Sequence, residues 1–323
     1  MNALHPDPDH ARALDRRMRE RLVASLRHIV ERAGSHLDAS GFEPAAARLL
    51  ARAVDPLVFG AYYELVLALE ADDLDTARQR FGEIVSATAW SGETRVLTLP
   101  DPTLDAGAAR YVRLLDTDPD VPFGVTAPAP AQAQAAMERV TAALAMLDRA
   151  HPALAAELRA LLRVIVLAAP ADTMRGSTFD GASSFMLWGA VVLNSQAHPA
   201  ALDMLQALVH ESGHNVLFGL CADGPLVEND DAERYTSPLR TDPRPMDGIF
   251  HATYVCARVH AALRIVLDSG VLRGEEADQA RADLALHAKG YRDGAQIVAR
   301  HARLTTLGRV VLADTAKVMQ HAG

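Results

Sequence analysis

Through most of this chain apolar side chains recur every three or four residues between charged ones, the repeat of an amphipathic helix. Leu14, Met18, Leu22, Leu26 and Ile29 mark the first such stripe, over residues 10–33, and similar patterns cover 44–54, 56–70 and 74–88. Half of the 323 residues are hydrophobic but only 5% are aromatic, and the abundance of Ala, Leu and Arg favours helix. Two stretches depart from that repeat. "RVIVLAA" and "SSFMLWGAVVLN" are rich in branched apolar residues and bracketed by Pro, Gly, Asp and Asn, which predicts two strands. "TRVLTLP" at 94–100 and "YVRLLD" at 111–116 read as shorter β-like runs. "DPDVPFGVTAPAPAQAQ" reads as a loop or linker, with helices after it to about residue 163.

Bulk properties exclude several classes. Net charge is −9 with both signs interspersed, so no basic face offers itself to nucleic acid. The two cysteines, Cys221 and Cys256, form no C-x-x-C pair, which fits a reducing compartment and excludes a disulfide framework. The first residues are polar without an apolar h-region, and "LLRVIVLAA" is too short to span a bilayer. The expectation is a cytoplasmic protein that engages no membrane.

The residues richest in chemistry are "ALVHESGHNVLFGL", 207–220, where His210, Glu211 and His214 have the spacing H-E-x-x-H. Leu202, Leu205, Val209, Val216 and Leu220 give this stretch a helical apolar stripe, opened by Pro199 and closed by Gly219 and "CADGP". Histidines four apart on a helix lie one above the other and can present two imidazoles to one metal ion. In zinc peptidases the intervening glutamate activates the metal-bound water. The bland alternative is a coincidence of core or surface histidines. Gly213, a poor helix former, suits a close approach of substrate or of a partner helix at that face.

A third metal ligand is less plainly written. The extended H-E-x-x-H-x-x-G-x-x-H pattern fails at Leu217 and Leu220. Glu228 lies in the acidic run "VENDDAERY", where a solvated charge is the simpler reading. His251, in "MDGIFHATYV" at the start of the next apolar-periodic helix, is the stronger candidate, against the alternative of a satisfied core histidine. His260, His287 and His301 sit on patterned helices and read as structural or exposed. Between the motif and His251, "RYTSPLRTDPRPMDGIF" carries Arg240 and Arg244 in a backbone restricted by Pro238, Pro243 and Pro245. Such a loop can grip a carboxylate in bidentate fashion, or pair internally through Asp242 or Asp247.

Taken together, "SSFMLWGAVVLN", "LVHESGHNVLFGL", "YTSPLRTDPRP" and "GIFHATYV" resemble the HExxH-motif proteins of ribosomal peptide natural-product pathways, a family of 2-oxoglutarate-dependent peptide β-hydroxylases. The resemblance covers residues 180–260. It implies that His210, His214 and His251 bind iron(II), and that the loop with Arg240 and Arg244 lies in the active site and holds 2-oxoglutarate. Glu211 would then orient a ligand or become one itself, the substrates being dioxygen and a precursor peptide. A zinc metallopeptidase with Glu211 as general base is the alternative enzyme, and a peptide-binding protein with a vestigial motif is the alternative outside catalysis. The expected architecture is mainly α with a small β-sheet beside the HExxH helix (α+β), and not a double-stranded β-helix. An N-terminal helical region, 1–125, would precede a metal-binding catalytic region, 126–323, unless both form one domain.

Overall fold

Three aspartates start three of the helices. Asp55 accepts the N–H of Leu57 at 2.9 Å, Asp73 that of Thr76 at 3.1 Å, and Asp105 that of Ala108 at 2.7 Å. Each satisfies a first-turn donor that has no partner within the helix. The chain is seen here as a computed structural model describing residues 4–34, 36–116, 124–171, 179–239 and 242–320. These residues are mainly helical, with a small mixed sheet and no closed barrel. Two compact units emerge, a sheet unit of residues 9–137 and 159–198 and a motif unit of residues 1–8, 138–158 and 199–323. Both are discontinuous in sequence, so neither has an edge at 125/126. At 8/9, 137/138 and 158/159 the chain changes unit inside a helix, where composition does not shift, and at 198/199 it does so just before a helix that starts at Ala201.

The sheet unit begins with α1 (Pro8–Ala33), α2 (Phe42–Ala51), α3 (Pro56–Glu70) and α4 (Leu74–Ser86). Then come β1 (Arg95–Thr98), α5 (Ala106–Leu115) and β2 (Val125–Thr126), and after two helices that pass through the motif unit, β3 (Val164–Pro170), β4 (Gly181–Ala182) and β5 (Ala190–Asn194). β1, β3 and β5 are parallel neighbours, with Val164 opposite both Arg95 and Ala190, while β4 runs antiparallel on β5. β2 pairs antiparallel with the last residues of β3. β3 is buried at all but its last residue and β5 throughout, as continuous apolar runs in a parallel sheet require.

Two strand expectations are corrected. "YVRLLD" is helical, the C-terminal part of α5. Asp105 caps it, and Ala108, Tyr111 and Leu115, spaced by three and four, enter the core with Leu114. "SSFMLWGAVVLN" is not one strand. The Ser184 hydroxyl accepts the Met186 N–H, a 3-10 turn follows at Phe185–Leu187, and Gly189 at φ +86° redirects the chain into β5. Asp15, buried on α1, collects the Arg19 guanidinium, the Trp188 indole N–H and Arg163, each at 3.1 Å. That carboxylate ties the first helix to the residues flanking the strands.

The motif unit contains most of α6 (Pro130–Ala150) and α7 (Pro152–Leu161), then α8 (Ala201–Leu220), α9 (Met246–Asp268), α10 (Gly274–His301) and α11 (Thr306–Gln320). α8 is the HExxH helix, so the sheet belongs to a different unit from the motif. α9 packs against α8, α10 and α11, and residues from every side of it are buried. A Cβ on Gly294 would fall on the Thr253 hydroxyl, and one on Gly290 would come within 2.8 Å of Cys256 Sγ. These two glycines let α10 lie close on α9.

Burial on all sides leaves Arg258 inside the unit. Its guanidinium pairs with Glu157 of α7, whose other oxygen accepts the Asp7 backbone N–H at 2.7 Å. Burial pushes the Arg258 pKa down, and the Glu157 carboxylate and Tyr254 raise it by more, so the guanidinium stays charged. Removing one partner strands the other charge, at a cost of about 3–5 kcal/mol, whereas replacing both with apolar residues is far milder. Urea denaturation should therefore show Arg258→Met and Glu157→Leu each strongly destabilised, and the double variant more stable than either.

Candidate metal centre

α8 starts where Asp203 accepts the Ala200 N–H at 3.0 Å. It ends at a short 3-10 turn, Cys221–Asp223, followed by Gly224 at φ +154°. Two of its buried polar side chains bond back to its own backbone, Ser212 to the Val209 carbonyl at 3.0 Å and Asn215 to that of Glu211 at 3.2 Å. Buried hydroxyls and amides without partners would be costly. Gly213 meets a partner helix, since a Cβ there would lie 3.0 Å from Arg258 Cδ and 3.1 Å from Val255 Cγ1 of α9. α8 and α9 therefore cross closely at this glycine.

That crossing brings the three predicted histidines together. His210 Nε2 stands 3.2 Å from His214 Nε2, and His214 Nδ1 stands 3.0 Å from His251 Nδ1. Phe218, one turn beyond His214, covers the cluster, with ring centres 6.3 Å from His214 and 5.6 Å from His251. The Asp247 carboxylate, one turn before His251, lies 3.8 Å from His251 Nε2. Burial, and then the neighbouring His251, lower the His214 pKa to about 3; burial lowers that of His251 to about 4. Both rings are neutral at pH 7, the state in which imidazole binds metals.

Among the described residues no three His, Cys, Asp or Glu side chains form a ready-made set around one ion. Two imidazoles do have chelating geometry. Nitrogens held about 2.1 Å from one ion stand about 3.0–3.4 Å apart between right-angled and tetrahedral arrangements, with ring centres about 4.7–5.2 Å apart. His210 and His214 match on both counts, with nitrogens 3.2 Å and ring centres 5.0 Å apart. His251 meets the opposite edge of His214, at Nδ1.

The other candidates scatter. Glu211 is buried at 5% exposure. Glu228 is exposed, and its backbone is fastened to Arg303, so it stands as a solvated charge. Arg240 lies outside the described residues. Arg244 forms an ion pair with Asp242 at 2.6 Å, and its backbone pairs with that of Tyr235 in both directions. His260 and His287 hold structural hydrogen bonds to the Leu284 carbonyl and to Gln206, and His301 is exposed. Cys221 and Cys256 are free thiols.

Sequence reasoning missed Arg258, although a lone arginine seven residues after His251 on an apolar helix shares its face. Arg258 also borders a cavity of about 360 Å³ with His151, Leu154, Ala262, Ile265 and Val318. None of the three clustered histidines lines that cavity. No helix among the described residues is long and apolar enough to cross a membrane. No protein-family model matches the chain, and no curated protein is significantly similar to it.

The depressed histidine pKa values link stability to pH. In the unfolded chain these imidazoles take up protons near the ordinary 6.5, whereas in the folded protein they resist until about pH 4 and 3. The unfolded state then binds more protons across that window, and stability rises with pH through it. In metal-free protein, urea midpoints should be highest above pH 6.5 and fall as pH drops towards 4. The slope should flatten in His214→Leu.

Proposed function

We propose that this protein is an iron(II)- and 2-oxoglutarate-dependent oxygenase that hydroxylates a side-chain β-carbon in a ribosomally made precursor peptide, acting in the cytoplasm. The observation that carries the reading is the His210–His214 pair, whose separation suits a single ion, within a sequence stretch that resembles the peptide β-hydroxylases. His210 and His214 would hold the iron through Nε2, with His251 the third imidazole of the cluster. When bound, iron with 2-oxoglutarate and dioxygen supplies an oxidation that turns C–H into C–OH and releases succinate and carbon dioxide.

The chain's own residues then bind, orient and shield. Phe218 packs on two of the imidazoles and limits water at their faces. Gly213 lets α9 approach closely enough to bring His251 beside the motif. The distal carboxylate of 2-oxoglutarate is assigned to Arg240 or Arg244, and Arg244 would exchange Asp242 for it. Glu211, next to His210 in sequence, is assigned the role of an orienting group.

Incubation of the iron-loaded protein with 2-oxoglutarate, oxygen and a cognate peptide should release succinate and add one oxygen atom to the peptide by mass. His210→Ala and His214→Ala should each abolish both signals. Anaerobic cleavage of peptide without 2-oxoglutarate, lost on Glu211→Gln, would replace this reading with a zinc peptidase.

A further inference from the structure

The three imidazoles are not equivalent. Ring centres of His214 and His251 are 5.3 Å apart with the planes only 19° from parallel, and the Nδ1–Nδ1 distance is 3.0 Å. The centre separation exceeds the nitrogen separation by about two ring radii, so both nitrogens lie on the line joining the centres. That is the head-on, in-plane geometry of an N–H···N hydrogen bond. For His210 and His214 the excess is smaller and the planes are 65° apart. Their nitrogens therefore sit off the line of centres, as two lone pairs aimed at a common point must.

The two contacts also use opposite nitrogens of His214. An ion on the Nε2 side, shared with His210, is out of reach of a nitrogen that meets Nδ1. We propose that His251 is a positioning residue and not a metal ligand: it accepts the His214 Nδ1–H and so fixes the tautomer whose Nε2 lone pair faces the ion. This rests on the metal-holding reading above. Asp247 completes the chain. Its carboxylate stands 3.8 Å from His251 Nε2, too distant for a hydrogen bond, on the polar edge of the ring that faces away from His214. A proton on Nε2 leaves Nδ1 with the lone pair that accepts from His214. A ligating histidine whose second nitrogen donates to an outer partner is the usual means of orienting the ring and raising its basicity. With two protein ligands the ion keeps one more position for an organic acid, a peptide or water than a three-histidine site would.

The test uses full-length protein with 15N-labelled histidine and zinc(II) as probe, which needs neither oxygen nor turnover. Imidazole NMR should show metal-shifted Nε2 resonances for His210 and His214 only. A scalar coupling should link the Nδ1 atoms of His214 and His251 across their hydrogen bond. Zinc affinity should fall about 10–100-fold in His251→Leu. It should largely recover in His251→Asn, whose side-chain oxygen stands near the place of Nδ1 but which cannot reach as Nε2 does. A metal-shifted His251 resonance, or a His251→Asn variant as weak as His251→Leu, would overturn the assignment and leave the oxygenase reading standing. Failure of the wild-type protein to bind zinc at His210 and His214 would remove both.

Discussion

The close crossing of α8 and α9 at Gly213 is the contact on which the rest of the motif unit depends. With no side chain on Gly213, Arg258 and Val255 settle directly against the helix backbone. Because His251 faces His214 and Phe218 while Arg258 faces Gly213, the two helices run antiparallel, and one register sets both pairs. A larger side chain at 213 would push α9 away and separate the imidazoles. The polar cluster is thus placed by an apolar, steric constraint.

α9 carries a second obligation. Buried at every residue from 249 to 260, it has nowhere to present Arg258 except inside the unit, and Glu157 meets that charge there. His251 and Arg258 lie seven residues apart on one face, so the ion pair that anchors α9 also fixes the rotation that aims His251 at α8. Two buried polar groups on one helix face then serve different ends, one holding the helix and the other facing the histidine pair. A buried ion pair adds little net stability over apolar packing, but a single partner in the interior is strongly penalised, which makes it a strict device for orientation.

The histidine cluster resolves by geometry into a pair and an outsider. His210 and His214 are constrained by the helical repeat, which places residues four apart on one face whatever surrounds them. His251 comes from another helix and approaches the one edge of His214 that the pair leaves open. Neutral imidazoles are suited to this arrangement, because each offers one donor and one acceptor nitrogen.

Much of the fold was legible in the sequence. The three-to-four spacing marked the helices, the branched apolar runs marked β3 and β5, and Gly213 marked a close approach of substrate or of a helix, which the structure shows to be α9. Hidden were features that depend on partners distant in sequence: the helical state of residues 111–115, the two discontinuous units, and the Arg258–Glu157 pair. Local pattern alone determined that His210 and His214 share a face, since helical periodicity requires it. Only tertiary structure decided that His251 would arrive at Nδ1 of His214, because the direction from which a ring on another helix approaches depends on how the helices pack, and no residue spacing records that.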